Sequence, residues 1–129
     1  MTSTPRKPHL EFFEVPEHEG WHTPAGYPAG FQQLILASDI DEVAKTGSRT
    51  RLMRLEPGTY TTKPFEHDHW EEVFLFEGDL IVGNDEHGNG GEQFFARTYA
   101  CRPPGVVHGP FKSETGCLMY ETHYYQSEG

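Results

Sequence analysis

Short stretches of alternating or continuous apolar residues, each bounded by turn formers, follow one another along this chain of 129 residues. These stretches occupy residues 31–37, 50–55, 73–76, 79–83, 92–100 and 117–125. Glycine (14 copies) and proline (10 copies) are frequent, and long helical periodicity is missing. The pattern is typical of β-sandwiches and β-barrels, and the length suits one domain. Residues 38–47 stay ambiguous, because a single capped helical turn fits them as well.

Domain organisation follows from where the β pattern starts and stops. We expect a disordered leader over residues 1–8, an N-terminal arm and connection over 9–30, the β domain over 31–125 and a tail over 126–129. Within the arm, residues 9–15 form a short extended segment that could pack against a partner. Since exposed β edges also invite pairing with another copy of the chain, we expect a homodimer.

The composition narrows the classes of partner. The chain carries 20 acidic and 10 basic residues, a formal net charge of −10. Such a surface repels phosphate backbones and anionic membranes, so we expect a small molecule as partner, with no nucleic acid and no membrane. No apolar run reaches membrane-spanning length, no hydrophobic signal core is evident, and the cysteines are Cys101 and Cys117. These features favour a cytoplasmic protein with reduced thiols, with a disulfide as the alternative.

The most informative segment is 65–72, because it brings imidazoles and carboxylates together where a β pattern begins. Residues two apart on a strand share a face, so His67, His69 and Glu71 are expected to project together. A further histidine, His108, follows a proline-glycine turn about forty residues on. Imidazoles and a carboxylate on one side of a pocket bind divalent metals, and the sequence therefore predicts a metal site.

Two neighbouring residues leave the ligand set open. Glu72 competes with Glu71: strand parity from His67 selects Glu71, whereas a bulge at Trp70 would reverse the choice. His123, on the last predicted strand, could also reach the pocket, but a structural role is the expectation for it.

At these residues the sequence resembles the cupin superfamily. The spacing Glu71-x6-Gly78 matches the end of that family's first motif, and Pro103-x-Gly105-x2-His108 matches part of its second. The resemblance covers the whole predicted β domain. It implies a small RmlC-like cupin, a double-sheet jelly roll or double-stranded β-helix barrel, whose metal ligands point into the barrel mouth.

The first motif fits in two registers. In one, His67 and His69 are the family's His-x-His pair. In the other, His67 takes the second histidine place, Phe65 fills the first, and His69 is an extra inward group. The distance from Gly58 favours the second register. Both registers keep the same two-histidine, one-carboxylate set of His67, Glu71 and His108. In the second motif, Arg97 stands where the family has glycine.

The resemblance implies a metal-dependent function, and the ligand set suits Fe(II) as well as Zn, Mn, Ni or Co. Small cupins similar to this chain include dioxygenases that cleave diketones and hydroxyketones, so the leading hypothesis is an Fe(II) dioxygenase. A non-redox isomerase or lyase, in which the metal is a Lewis acid, is an alternative. Another is a non-catalytic small-molecule sensor, because the resemblance extends to the ChrR-like cupin domains of bacterial anti-sigma factors.

Catalytic groups other than the ligands are expected close to the predicted site. Glu72 or His69 could carry protons. Arg51 and Arg54 lie on one strand with opposite parity, so at most one of them faces inward, and Arg54 is our candidate for holding a substrate carboxylate or enolate. Tyr60 is a further candidate for substrate contact.

Overall fold

A computed structural model describes residues 6–126 of the chain. Its seven antiparallel strands are β1 (Phe31–Ser38), β2 (Ser48–Leu55), β3 (Trp70–Val82), β4 (Glu92–Phe95), β5 (Thr98–Arg102), β6 (Phe111–Lys112) and β7 (Cys117–Tyr124). The all-β class predicted from the sequence is confirmed. In the described range no helix is long and apolar enough to cross a bilayer. Most of the predicted leader and tail, residues 1–5 and 127–129, lies outside the described residues.

The strands form two antiparallel layers that are joined through β3. The larger layer contains β1, β2, β7, the first half of β3 and β5, side by side in this order. In the smaller layer, the second half of β3 pairs with β4 and β6. Apolar side chains from both layers form the core, which consists of Phe31, Met53, Leu55, Val73, Leu75, Leu80, Cys117 and Met119.

The apolar stretches 73–76 and 79–83, predicted as separate strands, belong to one bent strand. β3 carries a bulge between Leu75 and Glu77, and Gly78 follows with a φ of 81°. A Cβ atom on Gly78 would lie 1.8 Å from a backbone oxygen of the neighbouring segment, so only glycine fits at the bend. Bulges of this kind let a strand cross from one sheet to another, which is how β3 serves both layers.

The stretch 92–100, predicted as one strand, is divided by a bend into β4 and β5, which both run antiparallel to β3. The bend lies at Arg97, whose φ of 72° is positive and whose N–H donates to the Leu75 carbonyl at 2.7 Å. Arg97 stands where the cupin motif has glycine, so the arginine has kept a backbone conformation that glycine favours. As a result, β4 pairs with the second half of β3, and β5 continues in the same direction along the first half.

Two further segments differ from regular elements. Residues 39–47 form turns closed by a bridge between Asp41 and Thr46, and not a helical turn. The Asp41 carboxylate accepts hydrogen bonds of 3.0 and 2.9 Å from two following backbone N–H groups, which favours this turn. Residues 9–15 form no strand, and the side chain of Phe12 is fully exposed.

The inward faces of β2, β3 and β7 are polar at one end and apolar at the other. At the polar end, the strand register sets Arg49 and Glu71 opposite His123, and Arg51 opposite Glu121. Because the three strands are in register, their polar inward groups meet at one end of the barrel. The opposite end of the same faces is apolar and consists of Met53, Leu55, Val73, Leu75, Cys117 and Met119.

Candidate metal centre

Two loops bring the histidines of the separate motifs together. Phe65 and His108 form an isolated β bridge, with N···O distances of 2.7 and 2.9 Å in the two directions. The N–H of Gly105 also donates to the His67 carbonyl at 2.8 Å. This short pairing places His67 and His108 side by side, with ring centroids 5.2 Å apart, where β3 presents Glu71.

The structure brings together the three ligands that both registers share. The Nε2 atom of His67 lies 3.9 Å from Glu71 Oε2, and the Nε2 atom of His108 lies 3.6 Å from Glu71 Oε1. One donor atom from each residue lies within 4.8 Å of the other two. Ligand atoms about 2.0–2.2 Å from a shared ion lie roughly 3–3.5 Å from one another. The donor set therefore fits a divalent cation with small side-chain adjustments.

The protonation states of the two histidines also suit a metal. Burial lowers the pKa of His67 to about 4 and lowers that of His108. Both rings are therefore neutral near pH 7, as metal ligation requires. The Nδ1 atom of His108 lies 3.3 Å from the Val106 carbonyl. A hydrogen bond there keeps the proton on Nδ1 and leaves the Nε2 lone pair directed at the cluster.

Glu71 is the centre of the cluster. Burial alone would raise the pKa of its carboxyl, but a hydrogen bond from His123 and the positive charge of Arg102 outweigh burial and lower the pKa well below its usual range. Arg102 faces Glu71 across the β3–β5 pair, and its Nη1 donates to Glu71 Oε1 at 2.7 Å. The carboxylate is thus ionised and oriented from both neighbouring strands.

His123 bridges the two buried carboxylates. Its Nε2 lies 3.1 Å from Glu71 Oε2 and 3.2 Å from Glu121 Oε1, and Glu71, Glu121 and His123 form a second group of close donors. The other ring nitrogen, Nδ1, faces the guanidinium of Arg49 at 2.7 and 3.2 Å. Since arginine can only donate, Nδ1 must accept and Nε2 must carry the proton. His123 therefore donates to the carboxylates and has no free Nε2 lone pair for a metal.

His123 therefore has a structural role, as expected from the sequence, but its side chain lies inside the pocket beside Glu71 and Glu121. Strand parity with Glu121 was the available signal in the sequence. What parity did not reveal is the partner, because Arg49 reaches His123 only through the pairing of β2 with β7.

Glu121 is neutralised within the barrel. The Nε and Nη2 atoms of Arg51 donate to Glu121 Oε1 at 3.1 and 2.9 Å, and Nη1 donates to the Gln33 side chain at 2.7 Å. All three groups of the Arg51 guanidinium are therefore occupied by protein. Burial opposes ionisation of Glu121, but the adjacent Arg51 charge lowers the pKa.

His69, proposed both as a ligand and as a proton carrier, stacks between two other histidines. Its ring lies 4.8 Å from that of His67 and 4.5 Å from that of His123, and its Nδ1 lies 3.1 Å from the Trp70 carbonyl. Burial and the adjacent His123 lower its pKa. Among the described residues, neither close donor group includes His69.

The other residues proposed for catalysis lie away from this cluster. Glu72 follows Glu71 on β3, faces the opposite side of the sheet and accepts a hydrogen bond from Tyr99. The guanidinium carbon of Arg54 lies 3.9 Å from the centroid of the Trp21 ring. Arg54 faces outward because it lies an odd number of residues from Arg51 on the same strand. Arg51, on the same strand, is the one of these two arginines whose side chain faces the interior. Tyr60 forms an isolated β bridge with Lys112 and lines a separate surface pocket.

Both cysteines are free thiols, as expected from the sequence. Cys101 is exposed on β5, and Cys117 is buried in the core. Burial raises the pKa of Cys117 to about 11, so its thiol stays protonated and packs as an apolar group.

Comparison with known proteins identifies similar domains. The model of the family described as ChrR Cupin-like domain matches residues 18–126 of this chain. No curated protein matches the sequence at a significant level.

Solved structures share the fold at low sequence identity. An RmlC-like cupin from Shewanella frigidimarina has a TM-score of 0.63 and 20% identity, over 92% of this chain and 95% of the other. An acetylacetone dioxygenase from Acinetobacter johnsonii has a TM-score of 0.64 and 20% identity, over 96% and 80%. The anti-sigma factor ChrR, in complex with SigE of Rhodobacter sphaeroides, has a TM-score of 0.55 and 18% identity, over 80% and 47%. The predicted cupin jelly roll is thereby confirmed.

Proposed function

Because the chain belongs to the family of ChrR Cupin-like domains, we propose that it is a metal-dependent enzyme acting on a small oxygenated organic molecule. The observation that carries the proposal is the convergence of His67, Glu71 and His108, with neutral imidazoles and an ionised carboxylate, at one end of the barrel. Two imidazoles and one carboxylate are a common ligand set of Fe(II) oxygenases. We therefore propose an Fe(II) dioxygenase of diketones or hydroxyketones; Zn, Mn, Ni and Co remain alternative metals.

Each group of the chain has a definite part in this proposal. His67, Glu71 and His108 would hold the ion, which would supply the redox chemistry for cleaving a carbon–carbon bond with dioxygen. Arg102 fixes one oxygen of the Glu71 carboxylate, and His123 fixes the other. Both atoms of dioxygen would enter the two carbonyl-containing products, so no external reductant is needed.

Oxygen consumption tests the proposal. The Fe(II)-loaded protein should consume dioxygen with members of a panel of β-diketones and hydroxyketones, in a one-to-one ratio with the substrate. Glu71→Gln should abolish the uptake. Glu72→Gln, the adjacent residue on the opposite face of β3, is the matched control and should retain it. If the Fe(II)-loaded wild-type protein consumed no dioxygen with any member of the panel, the dioxygenase hypothesis would be wrong.

A non-redox reaction is the second candidate, because a sugar phosphate isomerase from Silicibacter pomeroyi has the same fold, with a TM-score of 0.56 at 18% identity. A bound Lewis acid would then stabilise an enediolate, and His69, which stacks on the His67 ring, would transfer the proton. Turnover of a hydroxyketone under strictly anaerobic conditions would favour this candidate over the dioxygenase.

The third candidate is a small-molecule sensor, which the ChrR family match favours. A sensor would bind its metal and ligand tightly without turnover. Ligand binding in calorimetry, together with an unchanged ligand after prolonged incubation with the loaded protein, would support it.

The homodimer and the cytoplasmic location remain proposals. The exposed apolar residues of the arm, Leu10, Phe12 and Phe13, lie beside Tyr120 on the outer sheet face. A second copy of the chain would cover these groups. Light scattering should then give twice the chain mass, and Phe12→Ser should lower it.

A further inference from the structure

The barrel is open on one side, between β4 and β5. The turn at Arg97 directs these two strands to different halves of β3, so their edges diverge. A cavity of about 210 Å³ lies between the edges. Its walls are mainly apolar and include Val73, Leu75, Leu80, Val82, Phe94 and Ala100.

This side cavity adjoins the candidate metal centre. Val73, Leu80 and Arg102 line both the side cavity and the small interior space beside Glu71 and His108. That interior space measures about 30 Å³, which holds about one water molecule. An organic substrate therefore needs additional room, and the side cavity supplies it next to the cluster.

Arg102 gives the boundary between the two spaces a polar, cationic group. Its Nη1 is bound to Glu71 at 2.7 Å, and its side chain is 17% exposed. Within residues 6–126, its Nε and Nη2 make no hydrogen bond to protein. Arg51, the other arginine that lines the interior space, donates from all three guanidinium nitrogens to Glu121 and Gln33. Of the two arginines that line the interior space, Arg102 is thus the one with guanidinium nitrogens left for a ligand oxygen.

We infer that the substrate carries a ring-sized or branched apolar substituent, which binds in the side cavity, while Arg102 donates to one of the substrate's oxygens. A cavity of about 150 Å³ lined by aliphatic and aromatic side chains is known to hold benzene, so a phenyl group fits the volume here. This inference rests on the proposed function for its small oxygenated substrate. It narrows that class to aryl or branched-alkyl diketones and hydroxyketones.

Binding of two diketones that differ in one substituent tests the inference. Calorimetry should compare 1-phenylbutane-1,3-dione with pentane-2,4-dione, on the metal-free and on the Zn(II)-loaded protein. Burial of the ring should make the phenyl compound bind at least about tenfold more tightly. Since neither protein form needs to turn the compound over, this result is independent of the oxygen-uptake experiment.

A variant that fills the cavity supplies the specific control. Ala100→Leu should remove the preference for the phenyl compound, whereas Cys101→Val, on the outer face of the same strand, should keep it. If Ala100→Leu does not fold, NMR of the wild-type protein replaces it: the phenyl compound should shift the methyl signals of Leu75 and Val82. Equal affinities for the two diketones, no binding of either, unchanged preference in Ala100→Leu, or unshifted methyl signals would overturn the inference.

Discussion

Two buried carboxylates lie on the same strand, and their surroundings differ. Asp79, in the second half of β3, accepts hydrogen bonds at 2.6–3.1 Å from the Gln93 and Ser113 side chains, from both the backbone and the hydroxyl of Thr115, and from the Glu114 backbone. None of these donors is an imidazole or a charged group. Glu71, in the first half, is instead surrounded by three imidazoles and a guanidinium: His67, His108, His123 and Arg102.

Both carboxylates have a pKa below the usual range. For each, burial opposes ionisation and the local partners outweigh it. A depressed pKa therefore does not by itself distinguish a functional acid from a structural one. The difference lies in the partners. The hydrogen bonds to Asp79 hold a loop in place, whereas those to Glu71 orient its carboxylate, the proposed metal ligand, beside the neutral imidazoles of His67 and His108.

The largest expected effect is on metal affinity. Glu71→Gln removes the anionic ligand, so affinity for a divalent ion should fall by more than about a hundredfold, since loss of a group that only orients a ligand costs about 10–100-fold. Competition with a fluorescent chelator measures this. Glu72→Gln is the matched control. A similar loss of metal affinity in that variant would contradict the assignment of Glu71 as the ligand.

Asp79→Ala should instead reduce stability. It leaves buried hydroxyl and backbone donors without an acceptor, and the free energy of unfolding should fall by roughly 3 kcal/mol. Urea denaturation gives the value. Metal affinity of the folded fraction should stay within about twofold of wild type, given the separation of the two regions. A large loss of affinity would show that the two ends of β3 are coupled.

A smaller effect is expected from the residue that fixes the His123 tautomer. Arg49→Leu frees Nδ1 of His123 to take the proton, so the hydrogen bond to Glu71 is no longer enforced. Metal affinity should fall by about tenfold, the low end for a positioning group. Arg54→Leu, on the outer face of β2, should change it little. Equal effects of the two substitutions would remove the assigned role of Arg49.

Acid should destabilise the metal-free protein in two pH windows, the upper one through the histidines of the cluster and the lower one through the buried carboxylates. Burial holds the His67 pKa at about 4, so between about pH 6.5 and pH 4 the unfolded chain binds a proton that the folded chain does not. Stability of the metal-free protein should therefore fall as the pH decreases through this window. The contribution of Asp79 is lost only below about pH 4, because its folded pKa lies under its unfolded value.

Melting temperatures across pH, measured in the presence of chelator, test both windows. His67→Asn should reduce the loss of stability in the upper window, to which the lowered pKa values of His69 and His108 also contribute. Asp79→Asn should reduce the loss in the lower window, to which the lowered pKa of Glu71 also contributes. An upper window that is unchanged in His67→Asn would mean that this imidazole is not desolvated in the folded protein.

Much of the site followed from local spacing in the sequence. His67, Glu71 and His108 were proposed as ligands because each lies in a short motif, and the structure brings these three together. The choice of Glu71 over Glu72 followed from the period of two along a strand. Such predictions depend only on residues close to one another along the chain.

Features that depend on pairing between distant segments could not be predicted. Arg49 meets His123 through the β2–β7 register, across more than seventy positions of sequence. The choice of Arg54 over Arg51 had no basis in the local pattern, since parity alone does not say which of two arginines faces inward. The bend at Arg97 that divides β4 from β5 was also missed, because a non-glycine residue with positive φ leaves no signal in the hydrophobic pattern.

The central claim is that His67, Glu71 and His108 jointly bind one divalent ion. Native mass spectrometry should be performed on wild-type protein and on His108→Ala after incubation with excess Co(II) and desalting. We predict one retained ion per wild-type chain and none in the variant, with both proteins folded by circular dichroism. Retention of the ion by folded His108→Ala, or no retention by the wild type, would contradict the claim.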